Sequence, residues 1–452
     1  MTAPGKPAPE SSIKGCDGGN ATGPSPAIAP GAHDLDPRRI AEDLVRRHGE
    51  GGIDPRVRDL VPGFDAPFFQ AGLAGYSDAP MRLVARRQGC PFCVTEALLD
   101  RTLIAGGKGF AKADLGELHD NLPGGGEDHP LAGQIMGSEP AEMAAAAMKM
   151  AEQSARGDRA YRDLAYEDIT QHKVLTPEVA RERVRTAPSV PAPADASARF
   201  EVIDVNLACP VKKIAKKSRG GHWLAEPAGA IAILEAVREA VPEEIPTTVK
   251  MRRSFDDTPE MREHFLRIFD AAYEMGYAWV TVHGRTVEQK YVGPSRWDPI
   301  RELTERWPER IVFGSGDVWT EADVMRMLAY TGVSAVSVAR GCIGDPWIFR
   351  RCRDLLAGRE PSAPTIAEQR AVLEAHFDLA LKNNAKFRKP ELHTGRTMRK
   401  FGIRFARWHP EAEAVKQRMI AVESLEDWRG VLDEWYGVRG ERAANPLNFN
   451  TI

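Results

Sequence analysis

Short apolar stretches alternate with amphipathic stretches through the middle of this 452-residue chain. The apolar stretches are often rich in β-branched residues and predict eight strands, at residues 68–74, 92–96, 131–136, 201–208, 247–251, 279–283, 311–314 and 335–339. Between most of them, apolar residues recur at helical spacing, for example at residues 141–151, 228–241, 261–275 and 321–330. Eight strands that alternate with helices predict parallel β–α units and a (β/α)8 TIM barrel.

A doubly wound parallel sheet is the alternative fold for this pattern. We disfavour it because no Gly-x-Gly-x-x-Gly turn follows the first predicted strand and the polar residues do not cluster at one switch point. In a barrel, by contrast, all strand ends converge on one mouth, where barrel enzymes keep their sites. Polar and small residues do follow strand after strand here: Ala74 and Gly75, Glu96, Gln134, Asn206 and Cys209, Lys250 and Arg252, His283 and Arg285, Ser315 to Asp317, and Arg340 with Gly341.

The composition changes outside the predicted barrel, which we place at residues 61–358. Residues 1–60 start with a Pro-, Gly-, Ala- and Ser-rich segment and predict a flexible extension, with a short amphipathic stretch at 38–50. Residues 153–199 predict an insertion on the barrel rim. Helical spacing at 366–383, 414–422 and 425–436 predicts a small helical domain at residues 359–440, followed by a tail at 441–452.

The predicted helical domain contains a cationic segment between Lys382 and Arg418. Eleven lysines and arginines stand there against three acids, a net charge of +8, in a chain whose formal net charge is −3. Such a concentration predicts a contact with nucleic acid through a local patch. The alternative is a solvated helical face whose interleaved aromatic residues belong to the core, namely Phe387, Phe401, Phe405 and Trp408.

The cellular setting follows from three further features of the sequence. Six cysteines at irregular spacing suit a reducing compartment. The first residues lack a secretory signal, and no run of about 18 apolar residues predicts a membrane span. We therefore expect a cytoplasmic protein without a membrane partner, and nothing in the sequence indicates a metal site or an obligate protein partner.

The residues from Glu201 to Gly221 carry the clearest candidate chemistry. A predicted buried strand ends at Cys209-Pro210, and a cationic loop that includes Lys212 and Lys213 follows. A thiol at a strand end, before a cationic loop, is placed to donate a proton beside an anionic polymer. The alternative is a small buried hydrophobe, the usual fate of a cysteine without a partner.

Two glycine-containing turns, after the seventh and eighth predicted strands, indicate a phosphate site. They contain Ser315, Gly316 and Asp317, and Arg340 and Gly341. Barrels commonly bind phosphate at this position through backbone N–H groups. Lys250, His283 and Gln134 add polar groups on the same predicted rim, as the polar edges of a flavin ring require. The pair Cys90 and Cys93 has redox-motif spacing, but we interpret it as structural.

These motifs resemble those of the tRNA-dihydrouridine synthases, flavoproteins that reduce particular uridines of tRNA. The resemblance covers roughly residues 68–349 and rests on motifs in the family order. They are Ala71-Gly-Leu-Ala-Gly75 with Asp78-Ala-Pro80, Gly133-Gln-Ile-Met-Gly137, Asp204-Val-Asn-Leu-Ala-Cys-Pro-Val-Lys-Lys213, Thr248-Val-Lys-Met-Arg252, Val282-His-Gly-Arg-Thr286, Gly314-Ser-Gly-Asp317 and Ala339-Arg-Gly341.

The resemblance implies an FMN-binding barrel and a helical domain that binds tRNA, with NADPH or NADH as reductant and NADPH as the expectation. It implies FMN contacts by Ala71, Gly72, Leu73, Ala74, Gln134, Lys250, His283, Ser315, Gly316, Asp317, Arg340 and Gly341. It makes Cys209 the general acid. Substrate contacts are expected from Asn206 and Arg285, which resemble the groups that grip the uracil edge, and from Lys212, Lys213 and Arg252.

Two departures from the family pattern leave alternative functions open. Gly72-Leu73 replaces the usual Pro-Met, and Ser315 replaces the usual Asn, both in the expected flavin shell. One alternative is an FMN-dependent barrel oxidoreductase that acts on a small pyrimidine or enone. The other is a non-catalytic tRNA-binding protein with a degraded flavin site.

Overall fold

Nine parallel strands form one sheet that closes on itself. The computed structural model describes residues 31–100, 125–151, 200–210, 220–385 and 387–437. The strands are β1 (Phe68–Gln70), β2 (Cys93–Val94), β3 (Leu98–Leu99), β4 (Leu131–Met136), β5 (Val202–Leu207), β6 (Thr247–Arg252), β7 (Trp279–His283), β8 (Val312–Ser315) and β9 (Ala335–Val338). Strand β1 pairs with both β2 and β9, and β2 pairs with β4, so eight strands close the cylinder. The predicted TIM barrel is confirmed, with β3 as an added short strand beside β4.

Helices surround the barrel and follow it along the chain. Those that precede or surround the barrel are α1 (Pro37–His48), α2 (Pro55–Leu60), α3 (Ala79–Arg87), α4 (Pro140–Ala151), α5 (Pro227–Ala240), α6 (Pro259–Glu274), α7 (Asp298–Arg306), α8 (Glu321–Thr331) and α9 (Trp347–Leu356). The C-terminal helices are α10 (Ile366–Asn383), α11 (Pro390–Phe405), α12 (Ala412–Ile420) and α13 (Leu425–Trp435). Most begin with proline or with a capping side chain such as Thr320, which supplies orphan N–H groups with an acceptor.

The N-terminal residues close the lower end of the barrel. Val57 on α2, together with Val61 and Phe64, packs in one apolar cluster with Phe69 and Phe313 from the starts of strands. The rings of Phe64 and Phe92 stack with their centroids 4.7 Å apart. Residues 53–64 therefore act as a plug at the end of the barrel opposite the predicted site.

Residues 37–60 differ from the flexible extension that the sequence predicted. Helix α1 packs against α8 and α9 and buries Ile40, Ala41 and Leu44. Its amphipathic face supplies the apolar surface that the Pro- and Ala-rich residues before it lack, and burying that surface stabilises the helix. The predicted rim insertion at 153–199 and the tail at 441–452 lie outside the described residues.

The four C-terminal helices pack around an aromatic core and against the barrel mouth. Phe401, Phe405 and Trp408 are all buried, so the core interpretation of these aromatics holds. Arg407 joins the two parts: its guanidinium lies 3.3 Å from the Asp345 carboxylate and donates to the Gly341 carbonyl at 3.2 Å. Among the described helices, none is long and apolar enough to cross a bilayer.

Candidate active site

The turns after β8 and β9 are in direct contact at the mouth. A Cβ added to Gly341 would lie 2.4 Å from the Val318 carbonyl oxygen, so only glycine permits this approach. Gly316 and Asp317 adopt positive φ angles of 120° and 53°. Within the described part of the chain, no acceptor takes the backbone N–H of Gly316, Asp317, Arg340 or Gly341. Four orphan donors in two adjoining turns form a cradle of the kind that binds a phosphate.

The Asp317 side chain is engaged by the protein itself. Its carboxylate accepts from Arg285 Nη2 at 2.6 Å and from the Ser295 N–H at 2.8 Å, and Arg340 Nη2 lies 3.3 Å away. A carboxylate held this way cannot also face an anion at close range without repulsion. The predicted role of Asp317 in cofactor binding therefore narrows to its backbone N–H, while its side chain orients Arg285 and Arg340.

Lys250 and His283 lie on neighbouring strands, with the cationic side chains of Arg252, Arg285 and Arg340 around them. Burial, with Arg252 adding to it, lowers the pKa of Lys250 to about 8, although Asp204 and Cys209 oppose the shift. Burial, with those arginines, also holds the pKa of His283 well below its usual value. His283 Nδ1 accepts the N–H of Arg285 at 3.1 Å, so the neutral ring carries its proton on Nε2. The mouth thus concentrates hydrogen-bond donors and positive charge.

Cys209 lies half-buried, two residues beyond the end of β5. The residue before it is held at both ends of its backbone. The Ala208 N–H donates to Asn206 Oδ1 at 2.9 Å, and the Ala208 carbonyl accepts from Arg252 Nε at 3.0 Å. The Cys209 carbonyl in turn accepts the N–H of Gly221 at 2.9 Å. These hydrogen bonds therefore hold the backbone that carries the Cys209 thiol in place.

Two arginines that we expected to bind substrate have extensive contacts within the protein. Arg252 donates from Nη1 to the carbonyls of Thr286 and Lys290, both at 2.7 Å, in addition to its bond with Ala208. Arg285 bonds the Gly293 carbonyl and Asp317, and its Nη1 has no acceptor among the described residues. Arg252 thus braces two loops, whereas Arg285 keeps one donor for a ligand. Lys212 and Lys213 lie outside the described residues.

The motifs assign no separate role to Asp204 in β5, although the structure buries its carboxylate inside the barrel. This carboxylate accepts from Thr248 Oγ1 and Gln134 Nε2, both at 2.6 Å, and burial raises its pKa. Gln134 Oε1 accepts from Asn206 Nδ2 at 2.7 Å. A charged residue between the apolar residues Ile203 and Val205 of a strand is the signal that could have identified it, because a buried charge needs partners.

The turn after β1 completes the mouth. Ala71 is buried and donates its N–H to the Val338 carbonyl at 2.9 Å, and the Leu73 N–H donates to Ser77 Oγ at 2.8 Å. A Cβ on Gly72 would lie 2.3 Å from the Thr95 carbonyl oxygen, so a proline at this position would clash. Ala74 is exposed. The departure from Pro-Met is therefore matched to the local backbone.

A cavity opens between this turn and the barrel interior. Its lining mixes apolar rings with the polar side chains of Gln134, Asp204, Thr248, Lys250, Thr281 and Ser337. Ser315 is buried at the end of β8, beside the cradle. Cys90 and Cys93, with sulfurs 3.8 Å apart, are buried in the apolar cluster that packs around the outside of the barrel, as the structural interpretation requires.

Fold and site together define a (β/α)8-barrel protein whose cationic mouth fits a phosphate-bearing ring cofactor. The orphan N–H groups, Arg340, Lys250 and the polar-lined cavity match the groups that FMN requires. The family model described as dihydrouridine synthase matches residues 189–430. Because this match spans more than half of the chain, the protein belongs to the dihydrouridine synthase family.

Relatives of known description agree with the family assignment. The chain is 34% identical over 182 residues to a probable tRNA-dihydrouridine synthase of Rickettsia conorii, covering 40% of this chain and 53% of that one. It is 32% identical to tRNA-dihydrouridine synthase B of Shewanella oneidensis (50% and 66% covered). It is 28% identical to the same-named protein of Pseudomonas aeruginosa (69% and 76% covered). The chain thus spans about half to two thirds of the first two relatives.

Solved structures show weaker likeness. Morphinone reductase in complex with tetrahydroNAD is 12% identical, with a TM-score of 0.36, and the match covers 66% of this chain and 89% of that one. TcOYE with pHBA is 10% identical, with a TM-score of 0.38, and the match covers 72% and 95%. The assignment of a barrel to this chain is therefore based on its own strand pairing and not on these similarities.

Proposed function

We propose that this protein is a tRNA-dihydrouridine synthase that reduces the C5–C6 bond of uridines in tRNA with FMN as cofactor. The observation that carries the proposal is the shared mouth of Cys209, Lys250 and the phosphate cradle. Asn206 on β5 pairs in register with Lys250 on β6. The Cys209 thiol just after β5 and the Lys250 ammonium group on β6 therefore belong to neighbouring strands. Both carry groups that uridine reduction uses, a proton donor and a cation.

The residues present fit FMN in three places. The cradle of Gly316, Asp317, Arg340 and Gly341 would hold its phosphate through backbone N–H groups, with Arg340 adding charge. Lys250, His283 and Gln134 would hold the polar edges of the ring, and Ala71–Ala74 with Ser315 would line it. When bound, FMN supplies the hydride for C6 of the uracil ring, and a reduced nicotinamide, expected to be NADPH, renews it.

The protein's own residues supply the proton and the electrostatic stabilisation. Cys209 gives its thiol proton to C5, which balances the hydride at C6, and the resulting thiolate regains a proton from solvent. Lys250 and His283, which would hold the edge of the flavin ring, also bring an ammonium group and an Nε2–H close to the negative charge that develops on the uracil ring. Lys250 and Arg252 also stabilise the thiolate that forms, because positive neighbours favour the deprotonated thiol.

The C-terminal helices offer a surface for the tRNA backbone. Lys382, Arg388, Lys389 and Arg404 are exposed, and no carboxylate of the described residues lies within ion-pair distance of them. Arg404 packs on Gly344 just beyond the β9 turn, so positive charge continues from α11 to the mouth. The target uridine has to leave its stack to reach the mouth, as bases do for such chemistry.

The direct test supplies the FMN-loaded protein with NADPH and unmodified tRNA transcripts. We expect dihydrouridine by mass spectrometry. Cys209→Ala is expected to retain FMN and NADPH oxidation but to lose dihydrouridine formation by about 10² to 10⁴-fold. Wild-type rates in that variant would remove the thiol from the mechanism. Turnover of free pyrimidines without tRNA would support a small-molecule oxidoreductase, and tRNA binding without flavin uptake would support a non-catalytic protein.

A further inference from the structure

Four side chains on β4, β5 and β6 and the backbone N–H of Ala208, just after β5, form one continuous hydrogen-bond chain that ends beside Cys209. Thr248 Oγ1 and Gln134 Nε2 both donate to Asp204 at 2.6 Å. Asn206 Nδ2 donates to Gln134 Oε1 at 2.7 Å, and the Ala208 N–H donates to Asn206 Oδ1 at 2.9 Å. The chain therefore links a buried carboxylate to the residue immediately before the proposed acid.

The direction of every bond in this chain follows from its two ends, the Asp204 carboxylate and the Ala208 N–H. An ionised carboxylate can only accept, so the group of Gln134 that faces Asp204 must be the NH₂. The carbonyl oxygen of Gln134 then faces Asn206, which must present its own NH₂ to it. The oxygen of Asn206 is thereby turned toward the Ala208 N–H. The carboxylate at one end and the Ala208 N–H at the other thus require the same one of two orientations for each amide.

The orientation of Asn206 decides what it can offer a ligand. One of its two amide N–H groups is taken by Gln134, and no acceptor in the described ranges takes the other. Asn206 is only half-buried, at the mouth end of β5. A remaining donor at this point matches a ring carbonyl, such as those of uracil, and mismatches the amino group of cytosine.

We infer that Asp204 is a positioning residue that fixes the amide orientations of Gln134 and Asn206, and with them the donor offered to the pyrimidine and the placement of Cys209. This inference rests on the proposed function for its substrate. Asp204 touches neither reacting atom; it acts through the two amides and the Ala208 backbone. Its low exposure, 5%, keeps water from competing for the chain.

The test compares three variants of the FMN-loaded full chain. Asp204→Asn removes the charge at constant shape, and with it the requirement that Gln134 present its NH₂ at this end of the chain. Thr248→Val removes one bond to Asp204 and leaves the other. Thr247→Val is the matched control, because the adjacent Thr247 bonds Arg238 at 2.9 Å and takes no part in the chain. The readouts are the dissociation constant of FMN, the pH profile of Cys209 alkylation by iodoacetamide, mapped by mass spectrometry, and single-turnover dihydrouridine formation.

We expect Asp204→Asn to slow dihydrouridine formation by about 10- to 100-fold, since a small misplacement at a reacting centre has effects of that order. The alkylation profile of Cys209 should shift and FMN binding should weaken by several-fold. Thr248→Val should move all three in the same direction by less, and Thr247→Val should leave each within about two-fold of wild type.

Unchanged alkylation and FMN binding in both Asp204→Asn and Thr248→Val, with a changed profile in Asn206→Ala, would overturn the role of Asp204. If Asp204→Asn fails to fold, Thr248→Val decides by the same criterion. Alkylation and FMN binding need no turnover. A wild-type protein that reduces no uridine would therefore refute the proposed function while leaving the role of Asp204 open to judgement by those two readouts.

Discussion

The barrel mouth and the C-terminal helices both collect positive charge, but they hold it differently. At the mouth, Arg252 and Arg285 are 3% and 4% exposed, and burial lowers the pKa of Lys250 to about 8 and that of Arg252 to about 10. On the helices, several basic residues pair with acids at the surface, such as Arg399 with Glu423 at 2.9 Å. Buried cations whose pKa values are lowered indicate a site prepared to bind an anion. Surface cations that are paired with acids contribute little to stability.

The net charge counted along the sequence hid this difference. Within the +8 segment, Arg407 and Arg418 pair with Asp345 and Glu434, which lie outside the segment, and Lys416 pairs with Glu413. The surface available to RNA is therefore smaller than the count suggested. The cations at the mouth, which are fewer and lie at the ends of β6, β7 and β9, should matter more for each residue removed.

Among the variants that compare the two regions, the largest effect is expected from Lys250→Met at the mouth. Losing one charged donor to a ligand removes about 1.5–3 kcal/mol, so kcat/KM should fall by roughly 10- to 100-fold. Wild-type activity should also decline as pH rises through about 8, because Lys250 loses its charge there, and the variant should lack this step. Arg296→Gln, on an exposed rim arginine that pairs with Asp257, is the control. A retained step near pH 8 in Lys250→Met would assign it to another group.

The second effect concerns His376, in the core of the helical region. Burial, with Lys400 adding to it, lowers its pKa to about 3, and neither ring nitrogen has a partner in the described part of the chain. The unfolded chain therefore binds more protons between pH 6.5 and 3, and stability falls as pH drops through that window. At pH 5 the loss is roughly 2 kcal/mol.

His376→Leu should flatten this pH dependence in urea unfolding measured at pH 7 and pH 5. His33→Asn, on an exposed histidine, serves as the control and should keep the wild-type slope. An equal loss of stability in His376→Leu would show that acid sensitivity resides elsewhere. With a flattened pH dependence, the two regions would differ in what their buried titrating groups control. His376 in the helices affects stability, whereas Lys250 at the mouth affects catalysis.

Gly72→Ala tests the close packing of the first turn. The added Cβ would lie 2.3 Å from the Thr95 carbonyl oxygen, so the turn has to shift, at a cost of about 1–3 kcal/mol. FMN affinity, followed by fluorescence titration, should fall by roughly 10-fold. Gly126→Ala, where an added Cβ meets nothing within 4 Å, should leave affinity unchanged. Equal FMN affinities in Gly72→Ala and Gly126→Ala would show that this turn does not contribute to FMN binding.

The smallest effect is expected from the double change Arg388→Gln with Lys389→Gln. Removing two exposed cations should weaken tRNA binding by only several-fold and lower the slope of log affinity against log salt by between about one and two. Lys416→Gln, on a lysine already paired with Glu413, is the control and should change neither quantity. A loss as large as that of Lys250→Met would erase the contrast between the two regions.

The sequence predicted the barrel well because strands buried on both faces leave continuous apolar runs. All eight predicted strands overlap observed ones, the second of them at Cys93–Val94, whereas the short strand Leu98–Leu99 lies outside the predicted ranges. Helix α11 was not predicted, since Gly395 and Gly402 interrupt its pattern. Both glycines allow neighbours to approach, Glu423 and Met419 respectively, which is a tertiary effect.

The site was predictable in its location but not in its bonding. Strand ends identify which residues reach the mouth, yet the partners of Arg252 are backbone carbonyls of distant loops. No residue type marks such acceptors in a sequence. Asp204 lies within a sequence motif, but its hydrogen bonds with Gln134 and Thr248 depend on three strands lying side by side.

The plug formed by residues 53–64 constrains the order of assembly. These residues are synthesised before the strands of the barrel, whereas the seam that seals the cylinder joins Phe68 to Val336, near the end of the barrel. Until β9 has been synthesised, Phe64 and Val57 lack some of their apolar neighbours. Compaction before that point leaves apolar surface exposed to aggregation. A slowly translating ribosome would prolong that vulnerable interval, and chaperone demand should rise with it.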